Sequence, residues 1–86
     1  MASVKVRLFG VYRMDTHLAE TTVEAQTLSD MLKALHTQIL ERDPDTQMTL
    51  SFRDAMVYIN GEKCRKSKQK LSDGDEVWLL SPASGG

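Results

Sequence analysis

The first residues of the chain alternate between apolar and polar side chains. Val4, Val6 and Leu8 occupy every second position, and lysine or arginine stands between them. A period of two predicts a strand with one buried face, because successive side chains of a strand point to opposite sides. Gly10 to Thr16 follows as a predicted turn. Residues 18–24, which include two threonines and a valine, predict a second strand that pairs with the first as a hairpin.

The pattern changes to a helical period after Thr27. Thr27 is a favourable N-cap residue, and Asp30 three positions later resembles a capping box in which Asp replaces Glu. The apolar residues that follow fall on one helical face. They are Leu28, Met31, Leu32, Leu35 and Ile39. Asp43-Pro44 ends the helix, because the residue before proline avoids the helical region. One amphipathic helix of about four turns is therefore predicted to cover one face of a small sheet.

Residues 45–54 are the least clear segment of the pattern. Met48, Leu50 and Phe52 alternate with polar residues, so this segment forms either a short strand or a loop that apolar side chains anchor. The apolar run over residues 56–60 is a clearer strand, because it is rich in residues that favour extended structure.

Two turns and two further strands complete the predicted elements. Asn60-Gly61 is a turn signal, after which residues 62–64 return as a short partner strand. Asp73-Gly74-Asp75 is a second turn signal, because glycine takes a positive φ angle without strain and aspartate tolerates turn geometry. Residues 75–81 then form the last strand, and Pro82 ends it because proline has no backbone donor.

The order of these elements predicts an α+β domain with one principal helix on a mixed sheet. Two strands, a helix and further strands fit the β-grasp, ubiquitin-like fold, in which the first and last strands are parallel neighbours at the centre of the sheet. The helix between the two halves supplies the crossover that parallel pairing requires. The 86 residues are too few for a deep substrate pocket. We predict one domain over residues 1–86, with residues 81–86 as a flexible tail.

Composition narrows the functional classes. Lys and Arg total 11 and Asp and Glu total 12. This near-neutral balance argues against nucleic acid as a partner, because phosphate binding usually needs a strongly basic face. The single Cys64 excludes an intrachain disulfide and fits a reducing compartment. No continuous apolar run reaches the length of a signal peptide or a membrane span. We therefore expect a soluble, cytoplasmic protein that binds neither nucleic acid nor membrane.

No group of side chains in the sequence predicts catalysis or metal binding by the chain itself. His17 and His36 are isolated and are interpreted as surface residues, since no second histidine or cysteine lies at metal-ligand spacing. Cys64 has no visible partner base, so we expect a small, half-buried side chain rather than a nucleophile. Gly61 and Gly74 are single turn glycines and do not form a phosphate cradle. The remaining candidate for a reactive group is the carboxylate of the last residue.

The sequence ends in Ser-Pro-Ala-Ser-Gly-Gly, which we interpret as an arm that presents the α-carboxylate of Gly86. From Pro82 to Gly86 the arm extends roughly 17 Å, at about 3.3–3.6 Å per residue. Gly85 and Gly86 lack a Cβ atom, so their backbone fits a channel too narrow for other residues. A frayed terminus of small residues is the alternative. The abrupt end after a buried type of strand favours the functional tail.

The stretch Leu71-Ser-Asp-Gly-Asp-Glu-Val, the apolar strand after it and the Gly-Gly end resemble the C-terminus of the ubiquitin-like sulfur carrier family. The resemblance is closest to the small, sulfur-carrying subunit of molybdopterin synthase, and it covers nearly the whole chain. The chain departs from that pattern at Ser81, where relatives often carry a second proline, and in the more basic residues 64–70.

The resemblance implies a carrier that is not catalytic by itself and that is the sulfur-donating subunit of a sulfurtransferase complex, closest to molybdopterin synthase in molybdenum cofactor biosynthesis. An E1-like enzyme, with its own ATP and Mg²⁺, would adenylate Gly86. A cysteine desulfurase or rhodanese-type protein would then supply the sulfur of a thiocarboxylate. A larger synthase subunit would form a heterotetramer with the carrier, which itself would bind no cofactor and no metal. Thiazole, cysteine and metallophore pathways, and amide ligation to lysines of other proteins, use the same tail chemistry and stay open.

Strand parity predicts a docking surface beside the tail. If Val77 faces the core, Trp78 faces out together with Leu80, and Phe9 faces out on the neighbouring strand. Large apolar side chains that cluster at a surface often mark protein interfaces, and relatives dock partners through this part of the sheet. The alternative is that the helix or a loop covers this face. The predicted partner-binding residues are Phe9, Trp78, Leu80 and Pro82.

The stretch Lys63–Lys70 is basic and has no apolar period. Its cations are Lys63, Arg65, Lys66, Lys68 and Lys70. A solvated loop is the simpler interpretation. The alternative is a surface that steers an acidic partner, since a concentration of like charge raises the rate of association with a surface of opposite charge.

Overall fold

The computed structural model describes residues 1–48, 50–53 and 55–80. In chain order, the helices and strands are β1 (Ala2–Leu8), α1 (Val11–Thr16), β2 (Glu20–Ala25), α2 (Leu28–Arg42), β3 (Met56–Ile59), β4 (Glu62–Lys63) and β5 (Glu76–Leu80). The predicted tail, with Pro82, Gly85 and Gly86, lies outside the described residues. Within these ranges no helix has the length and apolar character needed to cross a bilayer.

The strands of the described ranges form one mixed sheet in the order β2-β1-β5-β3-β4. β1 pairs antiparallel with β2 and parallel with β5, so that Val6 lies opposite Val77 and Leu8 lies opposite Leu79. β3 pairs antiparallel with both β5 and β4. The first and last strands are therefore parallel neighbours inside the sheet, which confirms the predicted β-grasp arrangement.

The core lies between the sheet and α2. The residues of β1 alternate between buried and exposed from end to end, and Val77 and Leu79 of β5 are fully buried beside them. All five apolar residues predicted for the helix face are buried in the same cluster. The period of two in β1 and the helical period in α2 thus predicted the two layers of the core correctly.

Helix α2 begins and ends where the sequence predicts. The Oγ1 atom of Thr27 accepts a hydrogen bond from the backbone N–H of Asp30 at 3.2 Å, as expected for an N-cap. The helix ends at Arg42, and Asp43, the residue before Pro44, is its C-cap. The β-turn at Asn60-Gly61 is also confirmed, since both residues have positive φ angles, 52° and 87°.

The turn predicted for Gly10–Thr16 is wrong, because residues 11–16 form the short helix α1. Gly10 starts the helix with a φ angle of 62°, and His17 ends it in the left-handed region. The hydroxyl of Thr16 donates to the carbonyl of Tyr12 at 2.7 Å. Tyr12 is buried in the core cluster and attaches α1 to the rest of the fold. Such a short helix gives too few turns for a period to be visible in the sequence.

Of the two alternatives for residues 45–54, the loop is correct, since the structure has no strand in the parts of this segment that it describes. Met48, Leu50 and Phe52 are partly buried and pack against the core. The Nε2 atom of His36 lies 3.1 Å from the carbonyl oxygen of Met48. This contact joins His36 to the loop. The surface position predicted for both histidines is correct for the exposed His17, whereas His36 is half-buried.

Candidate functional site

The end of β5 lies in the interior of the sheet. Leu80 is paired with Met56 of β3, and on the other side the backbone N–H of Phe9 donates to the carbonyl of Leu79 at 3.0 Å. The last described residue of the chain is therefore flanked by β3 and by the residue that follows β1. The candidate reactive residues, Gly85 and Gly86, follow from this point outside the described residues.

Phe9 and Trp78 are brought together on the face of the sheet opposite to the core. Their ring centroids are 5.8 Å apart with an interplanar angle of 65°, which is an edge-to-face contact. Both side chains are half-buried, and so is Leu80. Val77 and Leu79 are fully buried on the core side, so the predicted parity of β5 is correct. The binding role of Phe9, Trp78, Leu80 and Pro82 stays a prediction.

Two further side chains lie on this face, both from β3, and were not predicted from the sequence. Met56 lies opposite Leu80 and Tyr58 lies opposite Trp78 in the antiparallel register, and both are half-buried. Their position follows from the burial of Val57 between them, but the sequence does not show that β3 and β5 are neighbours. We call the five apolar and aromatic side chains named on this face the outer apolar surface: Phe9, Met56, Tyr58, Trp78 and Leu80.

Charged side chains border the outer apolar surface on the β1 side. The guanidinium group of Arg7 lies 3.5 Å from a carboxylate oxygen of Glu20 and 3.8 Å from one of Glu76. The indole N–H of Trp78 donates to the same oxygen of Glu76. Trp78 is thus held by the ring of Phe9 and by the carboxylate of Glu76, which Arg7 faces in turn. An aromatic side chain fixed before binding loses less conformational freedom when a partner docks on it.

The acids before β5 are structural. Asp73 Oδ1 accepts the backbone N–H of Ser3 at 2.7 Å, which ties the turn to the start of β1. The carboxylate of Asp75 accepts the side-chain amide of Asn60 at 2.9 Å and the backbone N–H of Ser72 at 2.8 Å. Because these oxygens are occupied by turn hydrogen bonds, they shape the start of β5 rather than form an acid/base pair.

Cys64 and the possible metal-ligating side chains are the other candidates for chemistry among the described residues. No group of three or more His, Cys, Asp or Glu side chains among them is arranged to hold a metal ion. Cys64 is half-buried as predicted, and its thiol donates to the carbonyl of Lys66 at 3.2 Å. The outer apolar surface and the end of β5 beside it form the candidate functional site.

A family model described as the ThiS family matches residues 6–86. Among curated proteins no significant match was found. Small archaeal modifier protein 1 from Methanosarcina acetivorans is 28% identical over 100% of this chain and 98% of its own, with a TM-score of 0.79. The SAMP1 protein from Haloferax volcanii is 26% identical over 99% of this chain and 100% of its own, with a TM-score of 0.76.

A third similar structure is the protein–protein complex of subunits 1 and 2 of the molybdopterin-converting factor from Helicobacter pylori. The matching chain is 24% identical over 98% of this chain and 99% of its own, with a TM-score of 0.59, and this likeness concerns the fold. Together with the family match, the three structures confirm the resemblance found in the sequence and the ubiquitin-like, β-grasp fold.

Proposed function

The chain belongs to the ThiS family, and we propose that it is a sulfur carrier whose Gly86 carboxylate is converted to a thiocarboxylate. The observation that carries this proposal is the family match over residues 6–86, because the matched region includes the Gly85-Gly86 pair. The fold supports it, since β5 ends at Leu80 beside the outer apolar surface. A partner that docks on this surface is next to the residues that follow β5.

The proposed chemistry needs no catalytic side chain on the carrier. A carboxylate is a poor electrophile, so an oxygen of the Gly86 carboxylate first attacks the α-phosphorus of ATP in an E1-like enzyme that holds Mg²⁺, and pyrophosphate leaves. The persulfide sulfur of a cysteine desulfurase or rhodanese-type protein then attacks the carbonyl carbon, and AMP leaves. A thiol then attacks the sulfur atom that is still bound to the donor protein and forms a disulfide with it. The S–S bond to the acyl group breaks, and the Gly86 thiocarboxylate is released.

The outer apolar surface is the proposed docking site for a larger synthase subunit. Aromatic residues at the centre of an interface, surrounded by polar groups that exclude water, provide most of the binding free energy in many complexes. Trp78 and Tyr58 lie opposite each other at the centre of the outer apolar surface, and Arg7 and Glu76 border it. We expect the full assembly to be a heterotetramer in which the tail enters the active site of the larger subunit.

The proposed pathway is molybdenum cofactor biosynthesis, with the chain as the small subunit of molybdopterin synthase. A second candidate is a protein modifier that forms an amide between Gly86 and lysine side chains. The similarity to two small archaeal modifier proteins favours this second candidate. Both functions begin with the same adenylate. The outer apolar surface favours the first, because a preformed apolar anchor suits one dedicated partner.

The intact mass of the full chain tests the carrier proposal. The protein is incubated with ATP, Mg²⁺, a sulfur donor and each E1-like enzyme of the same host. Conversion to the thiocarboxylate adds about 16 Da, because one oxygen is exchanged for sulfur through the activated acyl intermediate. A reaction without ATP is the control. An unchanged mass with every E1-like enzyme of the host contradicts the proposal, and a ladder of lysine conjugates in the host without a synthase partner supports the modifier.

A further inference from the structure

Five cationic side chains cluster at the end of the molecule where β5 begins. We call residues 63–70 the basic loop; its cations are Lys63, Arg65, Lys66, Lys68 and Lys70, and each is exposed. In the part of the chain that the structure describes, the ion pairs involve Lys5 and Arg7 but none of these five. The basic loop therefore presents its positive charge to solvent without a carboxylate partner among the described residues.

The basic loop is attached to the fold at both ends. The backbone N–H of Cys64 donates to the carbonyl of Val57 in β3 at 2.8 Å. After the loop, the backbone N–H of Leu71 donates to the carbonyl of Gln26 at 2.9 Å. Buried Leu71 belongs to the core cluster. These contacts fix the path of the loop backbone, so the backbone that carries the cations loses less freedom on binding than that of a mobile segment.

The basic loop also covers the start of α2. The carbonyl oxygens of Gln69 and Ser67 accept hydrogen bonds from the backbone N–H groups of Leu28 and Ser29, each at 2.9 Å. These are two of the first N–H groups of the helix, which have no partner inside the helix. Because the loop satisfies them, an anion must be bound by the lysine and arginine side chains. The positive end of the helix dipole lies behind the loop and adds to the same field.

Four of the five cations line an open cavity of about 440 Å³; they are Lys63, Arg65, Lys66 and Lys70. The carboxylates in the cavity wall are those of Glu62 and Asp75, and Asp75 is already hydrogen-bonded to Asn60 and Ser72. The cavity is therefore positively charged, and its volume lies in the range of small binding clefts.

We propose that the basic loop is a docking surface for a carboxylate-rich segment of a protein partner. An acidic protein segment fits better than a nucleic acid, because residues 63–70 contain no aromatic side chain on which a base could stack. The whole chain also carries a net charge of −1, which disfavours a long polyphosphate backbone that extends beyond the loop. This proposal goes beyond sulfur transfer and does not depend on it.

The position of the basic loop allows two partners to bind at once. The loop lies at the start of β5, beside Asp75, whereas the tail follows the other end of β5 at Leu80. The four steps from Glu76 to Leu80 separate the two ends of this strand by roughly 13 Å, at about 3.3 Å per residue. Lys63 is the cation nearest to the outer apolar surface, since it lies opposite Tyr58. A protein bound through Arg65 and Lys66 thus leaves the tail free for an enzyme.

Fluorescence anisotropy with a labelled oligoglutamate peptide tests this proposal on the full chain. The variant Arg65→Glu/Lys66→Glu reverses two charges in the cavity wall. The matched control is Arg53→Glu/Lys33→Glu, which changes the same residue types at exposed positions elsewhere. We expect the cavity variant to bind the peptide about tenfold more weakly or worse, and the control to lose about twofold at most. Circular dichroism confirms that both variants fold.

Equal losses in the two variants would overturn the proposal, because they would show that net charge alone attracts the peptide. Absence of saturable binding to the unmodified chain would overturn it too. A thymidine oligonucleotide of the same length that binds more tightly than the peptide would identify the loop as a nucleic-acid site instead.

The amide chemical shifts of the unmodified chain, recorded with and without the peptide, give a measurement that does not depend on variants. Shifts confined to residues 63–70 and the start of α2 support the proposal, and shifts spread over the whole surface contradict it.

Discussion

The aromatic rings of Phe9 and Trp78 meet edge to face, with centroids 5.8 Å apart. Phe9 follows the first strand and Trp78 lies in the last, so the contact joins the two ends of the folded chain next to the start of the tail. On its other side, Trp78 lies opposite Tyr58 in the register of β3 and β5. The contact therefore fixes a large aromatic side chain at the centre of the outer apolar surface.

We predict that Trp78→Ala weakens the complex with the larger synthase subunit by more than about 1 kcal/mol, the order expected for an aromatic hot spot. Adenylation of Gly86 is expected to change less, because it depends on the tail. Isothermal titration calorimetry measures the first effect, and pyrophosphate release with the E1-like enzyme measures the second. Thr22→Ala is the control, since Thr22 is exposed in β2, away from the outer apolar surface. An equal loss of affinity in both variants would contradict the docking role of Trp78.

Arg7→Ala is predicted to change the free energy of unfolding by less than about 1 kcal/mol, even though Arg7 faces two carboxylates. The N–O distances of 3.5 and 3.8 Å are long, and nearly half of each side chain of Arg7 and Glu20 is exposed. Solvent therefore screens both pairs. Leu8→Ala, at the next residue, should cost about 2–5 kcal/mol because Leu8 is buried. Urea denaturation measures the free energy of unfolding of both variants. A loss above about 1 kcal/mol in Arg7→Ala would contradict the prediction and show that the ion pairs stabilise the sheet.

Thr27→Ala is predicted to lower stability by about 1 kcal/mol, because the backbone N–H of Asp30 loses its side-chain acceptor. Thr27→Ser keeps a hydroxyl oxygen at the same place and should restore most of the loss. Thr37→Ala serves as the control within α2: the Thr37 hydroxyl donates to the carbonyl of Lys33 on the exposed side, and alanine favours a helix more than threonine does. Thermal unfolding should rank Thr27→Ala as the least stable of the three variants. A loss in Thr27→Ser as large as that in Thr27→Ala would exclude the cap as the cause.

How far the sequence predicts this fold depends on the length of each periodic pattern. β1 and α2 each repeat an apolar position over several turns or pleats, and their buried residues were predicted correctly. In α1 the described burial places Tyr12 in the core and leaves Met14 exposed, and a helix of six residues is too short to show a period. A short helix of this kind depends on packing that only the folded chain provides.

The candidate site was predicted in part for a similar reason. The parity of β5 places Trp78 and Leu80 on one face, and this is visible in the sequence. Met56 and Tyr58 join them through the pairing of β3 with β5, which is a long-range contact with no local signal. Glu76, the hydrogen-bond partner of Trp78, is two residues away on the same face of the strand. That spacing is a signal that the sequence does contain.

Deletion of Gly85 and Gly86 is predicted to abolish the mass increase of about 16 Da while leaving the stability of the domain unchanged. All core residues of the described ranges precede these two glycines, from Ala2 to Leu79, so we expect the packing of the core to be kept. Gly74→Ala should have the opposite effect. Gly74 has a φ angle of 88° and no atom within 4 Å of an added Cβ atom, so alanine costs about 1–2 kcal/mol of backbone strain and leaves the tail chemistry intact. Thermal unfolding and intact mass, measured on both variants, separate the two effects. A truncated chain that still gains the mass of sulfur would show that the reactive group is not the Gly86 carboxylate.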